Sequence, residues 1–139
     1  MKFFVPFEAV KEYEKPTDHL SMMFGPFEYD HITDEDIQLE IDNGNAKSVK
    51  LATPWDQEPI TKTIHARRIA ALVLLIEKGM ELDPVEMELS EYNKNTNFVT
   101  DGHHRIRAYK FAKKNGFWAS LGGFETLIKE FKTVCRKHY

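Results

Sequence analysis

"FVTDGHHRIRAYKFAKKNGFWASLG", residues 98–122, leads the chain from strand to turn to helix and into a second strand within 25 residues. A brief strand over residues 97–100 delivers Thr100 and Asp101, either of which is suited to cap a helix with a side-chain oxygen. Gly102 has no Cβ, so the backbone can bend sharply there and another group can come close. The amides of Gly102, His103 and His104 then lie at a helix N-terminus, where bare N–H groups and the positive end of the helix dipole attract anions. Arg105 adds a fixed cation that grips phosphate through two nitrogens. Arg107, Lys110, Lys113 and Lys114 follow, and are expected to raise the local positive potential. The helix is expected over residues 103–115 with Gly116 as its stop, and the closing strand over 118–121, broken by Gly122 and Gly123. The plainer alternative is that Asp101 does nothing but cap. His103 and His104 make a poor metal pair, because adjacent helical positions point about 100° apart; no His-Glu-x-x-His arrangement is present, and zinc is not expected.

Working towards the N-terminus, residues 84–89 alternate apolar and acidic side chains, the pattern of a strand with one buried face. Residues 61–79 read as a long helix, capped by Thr61 or Thr63, ended by Gly79, and apolar on all sides in its second half. Its first turns bring His65, Arg67 and Arg68 towards solvent or a ligand. Residues 53–59, with two prolines, form a loop containing Asp56 and Glu58; residues 47–52 alternate as a strand does. Thr33 followed by Asp34, Glu35 and Asp36 starts a short helix that should stop near Gly44. Residues 12–31 read as irregular, and residues 2–5 as a short strand. Residues 124–136 form an amphipathic helix with Phe124, Leu127, Ile128, Phe131 and Val134 on one side. Mixed along one chain, these elements give an α/β (α+β) class: a small mixed sheet flanked by helices, in a single domain over residues 1–139.

The single cysteine, Cys135, forms no internal disulfide, which fits a reducing compartment and a cytoplasmic protein. The longest apolar run, residues 69–76, is far shorter than the roughly 20 residues that span a bilayer. The N-terminus lacks the apolar length and small-residue cleavage site of a secretory signal, so no membrane partner is expected. The net charge of -3 hides a split: residues 102–139 hold nine Lys and Arg against two Asp and Glu, and residues 1–101 hold ten against twenty. A basic C-terminal third suits an anionic partner such as a nucleotide or nucleic acid. Equally, the two parts simply pack together with their charges solvated.

The segment 98–122, with the preceding "ARRIAALVLLIEKGMELDPVEMEL", resembles the ParB/sulfiredoxin superfamily. Its members carry a helix ending in glycine, a strand of the type Pro-[Ile/Val]-x-[Val/Ile], a second strand, a Gly-x-x-Arg turn, a helix and a closing strand. The resemblance covers a core of about residues 53–122, leaving an N-terminal extension, 1–52, and a C-terminal helix, 123–139, outside it. It implies that the turn contacts nucleotide phosphates. Gly102 and Arg105 match the Gly-Glu-Arg-Arg turn of ParB proteins; His103 and His104 do not. Sulfiredoxins have Gly-Cys-His-Arg, and His103 at the cysteine position argues against sulfinic-acid repair. The Asp-Gly-His-His-Arg form is similar to that of nucleotide-dependent free serine kinases and of small phage- and plasmid-borne ParB-like proteins, often labelled nucleases. The kinases are larger, and their catalytic acid has no evident counterpart here. No helix-turn-helix region of the partition proteins is recognisable.

Phosphoryl chemistry needs positioning and charge neutralisation more than a strong nucleophile. The residues expected to hold phosphate are Gly102, His103, His104 and Arg105. His103 or His104 would act as general acid or base; Asp101 would orient a histidine or hold Mg²⁺ beside a nucleoside phosphate. His65, Arg68, Asp56 and Glu58 are secondary candidates. Two functions follow: an enzyme of phosphoryl transfer, nucleotide hydrolysis or DNA cleavage, or a non-catalytic nucleotide- or DNA-binding module that regulates a protein partner. A weaker third is that the acidic N-terminal part mimics DNA and inhibits a DNA-binding protein.

Overall fold

The computed structural model describes residues 2–13, 27–48, 61–90 and 99–139. Four strands form one sheet: β1 (Phe3–Pro6), β2 (Val85–Leu89), β3 (Val99–Asp101) and β4 (Gly116–Gly123). Their order is β1-β4-β2-β3. β4 runs antiparallel to β1, with Val5 opposite Phe117, and parallel to β2, with Val85 opposite Ala119. β3 pairs antiparallel with β2 across an irregularity between Glu86 and Met87. The expected mixed sheet is therefore present. Gly116 opens β4 rather than ending the preceding helix, because a Cβ there would run into the Val5 carbonyl of β1. Gly122 and Gly123 lie inside β4 and do not break it.

Among the described residues, five α-helices surround the sheet. α1 (Phe7–Tyr13) follows β1 directly and extends into the region read as irregular. α2 (Asp34–Asp42) begins as its sequence demands: the Thr33 hydroxyl accepts from the Asp36 amide and the Asp36 carboxylate accepts from the Thr33 amide. Asn45–Ser48 is a 3₁₀ turn, so the strand expected over 47–52 does not begin there; residues 49–52 lie outside the described residues. α3 (Lys62–Glu77) is capped by Thr61 and followed by Gly79 at φ 79°. Its buried residues are Ala66, Arg68, Ile69, Ala70, Leu72 and Val73, whereas Leu74–Ile76 are only half-buried. α4 (His103–Phe111) stops four residues before Asn115 because Lys113 turns left-handed at φ 61°. α5 (Glu125–Arg136) buries Phe131 and Cys135 and half-buries Leu127, Ile128 and Val134, while Phe124 is exposed.

The burial of β2 alternates as its sequence does: Val85, Met87 and Leu89 in, Glu86 and Glu88 out. That inner face joins Val5, Val10, Phe27, Ile106, Phe117 and Phe131 in one apolar cluster. Each large side chain fully buried there contributes about 1.5–3 kcal/mol. A second cluster gathers Ile32, Ile37, Ile69, Val73, Leu82 and Ala108 from α2, α3 and their neighbours. α4 belongs to both, through Ile106 on one side and Ala108 on the other. The N-terminus of α4 is thereby held between the start of β2 and the buried middle of α3. No described helix is long and apolar enough to cross a membrane.

Candidate anion site

Gly102 is itself the N-cap of α4, at φ 111° and ψ 19°, and no side chain caps the helix. The left-handed conformation strongly favours glycine. A Cβ at this position would also meet the Val85 Cγ2 at 3.0 Å and its Cα at 3.2 Å. Neither expected cap acts as one. The Thr100 hydroxyl donates to the Glu86 carbonyl across the sheet, and the Asp101 carboxylate accepts from Arg105. Among the described residues, no protein atom accepts from the amides of Gly102, His104 and Arg105; the first helical bond at this end runs from the Ile106 amide to the Gly102 carbonyl. These amides border a cavity of about 530 Å³ lined by Arg68, Leu72 and Leu75 of α3, residues 80–83 of the following connection, and Asp101, Gly102, His104 and Arg105.

The two arginines of this cavity are in opposite states. Arg105 Nη1 donates to the Asp83 carbonyl at 2.9 Å and the Pro84 carbonyl at 2.7 Å, and its Nη2 donates to Asp101 Oδ2 at 2.9 Å. It braces the turn against the entry to β2, which leaves it less free to grip a ligand than its place in the turn suggested. Arg68 is buried, with 7% of its surface exposed, and its Nε has no hydrogen-bond partner. Among the described residues its guanidinium makes no ion pair. A buried cation without a counter-charge is costly, and this one lies on the wall of a cavity that also presents bare amides. Its neighbour Arg67 turns the other way and donates from Nε to Glu40 at 2.9 Å.

The three histidines divide similarly. His103 Nδ1 accepts from the Glu28 amide at 3.2 Å, and its Nε2 donates to the Val99 carbonyl at 3.2 Å. Both nitrogens are engaged in one neutral tautomer, and burial lowers its pKa against the nearby Glu28 charge, which raises it. His103 fastens the 27–31 turn to α4 and holds no spare nitrogen for a proton. His104 lines the cavity, and its Nε2 lies 2.9 Å from His65 Nδ1. The ring centroids are 5.1 Å apart. The rings therefore meet nearly in line, as an N–H···N bond requires, rather than converging on a shared metal. Tyr29 lies over both, 4.3 Å from the His104 ring and 4.5 Å from the His65 ring. Burial first, then the charges of His65 and Arg68, depress His104 to a pKa of about 4. Burial likewise lowers His65.

Of the residues singled out in the sequence, the fold thus unites Asp101, Gly102, His104, Arg105 and Arg68 around one cavity, with His65 joined to it through His104. His103 stands behind the turn; Asp56 and Glu58 lie outside the described residues. The sequence reading missed Tyr29 and the apolar wall of Leu72, Leu75, Met80 and Leu82. Tyr29 has no local signal, since it reaches the histidines only through the tertiary fold. Of the three residues expected to face a ligand from the start of α3, Arg68 lines the cavity and His65 reaches it through His104, whereas Arg67 does not. The basic character expected of α4 is mostly neutralised: Arg107 donates to Asp34 at 2.7 Å, Lys110 to Asp30 at 2.8 Å, and Lys113 to Asp34 at 3.4 Å. Comparisons of the chain with protein-family models, curated proteins and solved structures find no match.

Proposed function

We propose that this protein binds the phosphate of a nucleotide or nucleic acid in the cavity at the N-terminus of α4. The observation that supports this most is the buried Arg68, whose Nε has no hydrogen-bond partner and which makes no ion pair among the described residues, facing the same cavity as the bare amides of the Gly102 turn. Helix-terminal amides and a guanidinium together satisfy a tetrahedral oxyanion. The apolar wall of the cavity, whose volume lies in the range of small-molecule sites, suits the organic part of such a ligand. In this reading Mg²⁺ rides on the nucleotide's own phosphates. Membership of the ParB/sulfiredoxin-like superfamily belongs to the same proposal, and rests on the succession of β3, the Gly102 turn, α4 and β4.

The test is thermal denaturation with ATP, ADP, CTP and GTP, each with and without Mg²⁺, on the wild type and Arg68→Gln. At one hundred times its dissociation constant a ligand stabilises the fold by about 2.7 kcal/mol. At least one nucleotide should do so in the wild type and none in Arg68→Gln. Stabilisation by none, or equal stabilisation of both proteins, overturns the reading.

One observation favours a catalytic role over binding alone. His104 faces the cavity and is oriented by a second ring, as a side chain that gives or takes a proton there must be. In an enzyme of phosphoryl transfer or phosphodiester cleavage, His104→Gln keeps the ligand and loses turnover. In a regulatory module there is no turnover to lose.

A further inference from the structure

The His65–His104 pair has a proton capacity that the neutral protein leaves unused. Each neutral imidazole carries one N–H, so the pair holds two protons on four nitrogens. One proton lies in the 2.9 Å contact and one on an outer nitrogen, which leaves the other outer nitrogen bare. A proton from solvent can add there without disturbing the shared bond, and the pair then carries one positive charge over two rings. Tyr29 covers both rings with its face, and an aromatic face over a cation is attractive.

Burial comes first in keeping the pair neutral, and the cations around it add to that, against Glu28, which favours the charged form. Arg68 stands beside both rings on α3; His103 and Arg105 face His104 from α4; Glu28 and His31 face His65 from the 27–31 turn. Arg105 is already offset by Asp101. Arg68 is offset by nothing among the described residues, so its charge falls on the histidines. A phosphate bound against Arg68 removes that repulsion and adds an attraction of its own.

We propose, resting on the phosphate site argued above, that the His65–His104 pair takes up one proton as the phosphate binds, and that the site thereby selects a terminal, dianionic phosphate over the monoanionic diester of a nucleic-acid backbone. Arg68 and the charged pair supply two positive charges, which match a dianion. A diester brings one negative charge, which Arg68 alone neutralises, so it gains little from the added proton. The natural ligand is then a free nucleotide or other phosphomonoester.

The experiment is a pH titration of the histidine ring resonances in the full chain, run alone, with saturating inorganic phosphate, and with dimethyl phosphate at the same concentration. His138 is the internal control. Phosphate should raise the midpoint of the His65–His104 pair by at least about two pH units, from about 4 into the range of about 6 and above in which phosphate is dianionic, equivalent to roughly hundredfold tighter phosphate binding by the protonated pair. Dimethyl phosphate, which only offsets Arg68, should raise it by clearly less and bind at least tenfold more weakly. If phosphate shifts the Gly102 and His104 amide signals while the midpoint stays put, or if the diester binds as well as phosphate, this inference is wrong and the anion site stands. If phosphate moves neither amides nor rings at any pH, the site itself is refuted and the inference goes with it.

Discussion

Two arginines border one cavity, and their bonding predicts opposite consequences for their removal. Arg105 makes three hydrogen bonds that hold the turn to residues 83 and 84 and to Asp101. Arg105→Ala leaves two carbonyls and a carboxylate without their donor and should cost about 2 kcal/mol or more in urea denaturation. Arg68→Met removes a buried charge that makes no ion pair among the described residues, and keeps most of its volume. In phosphate-free buffer it should hold or raise stability by on the order of 1 kcal/mol, while abolishing stabilisation by phosphate. The histidines predict a pH dependence. The fold holds His104 at about 4 against an ordinary value of 6.5. A depressed histidine favours the neutral form, so its contribution is complete above pH 6.5 and is lost as pH falls towards about 4. Denaturation between pH 7 and 4.5 without phosphate should show falling stability, and His104→Gln should flatten that slope. The sequence made Arg105 the obvious ligand because it names neighbours in the chain and not neighbours in space. That Asp83 and Pro84 would take up the guanidinium depends on where β2 begins against α4, which no local pattern encodes.

The turn between β3 and α4 is the element on which the site depends. Asp-Gly between an alternating strand and a helix was legible because glycine is the residue that tolerates φ near 111° and a close approach to Val85. Gly102→Ala should cost about 1–3 kcal/mol, measured by chemical denaturation, and should weaken phosphate binding by displacing the amides. The helices with strong end signals, α2 behind Thr33 and α3 between Thr61 and Gly79, were equally legible. The strand expected from 47 onward failed at its start, because alternation over a few residues is also met by a 3₁₀ turn. Gly116 was misplaced for a related reason. Glycine after a helix reads as its cap, but here the approach of β1 demands it, and Lys113 supplies the left-handed residue instead.

At the scale of the molecule, the acidic and basic parts of the chain meet along α4, where Asp30 and Asp34 pair with Lys110, Arg107 and Lys113. The phosphate site proposed here is a cavity with two arginines rather than a basic face. Affinity for phosphate should therefore fall only a few-fold between 50 and 200 mM salt, against the roughly 10³–10⁵-fold loss of a surface making 6–10 phosphate contacts with DNA; titration calorimetry at two salt concentrations decides between them. The most direct test of the central claim is a two-dimensional NMR titration of the wild-type protein with inorganic phosphate, following the Arg68 Nε–H and the Gly102 and His104 amides. The account predicts that these three signals move together and saturate. Signals that stay fixed, or shifts scattered over the exposed lysines of α5 instead, would contradict it.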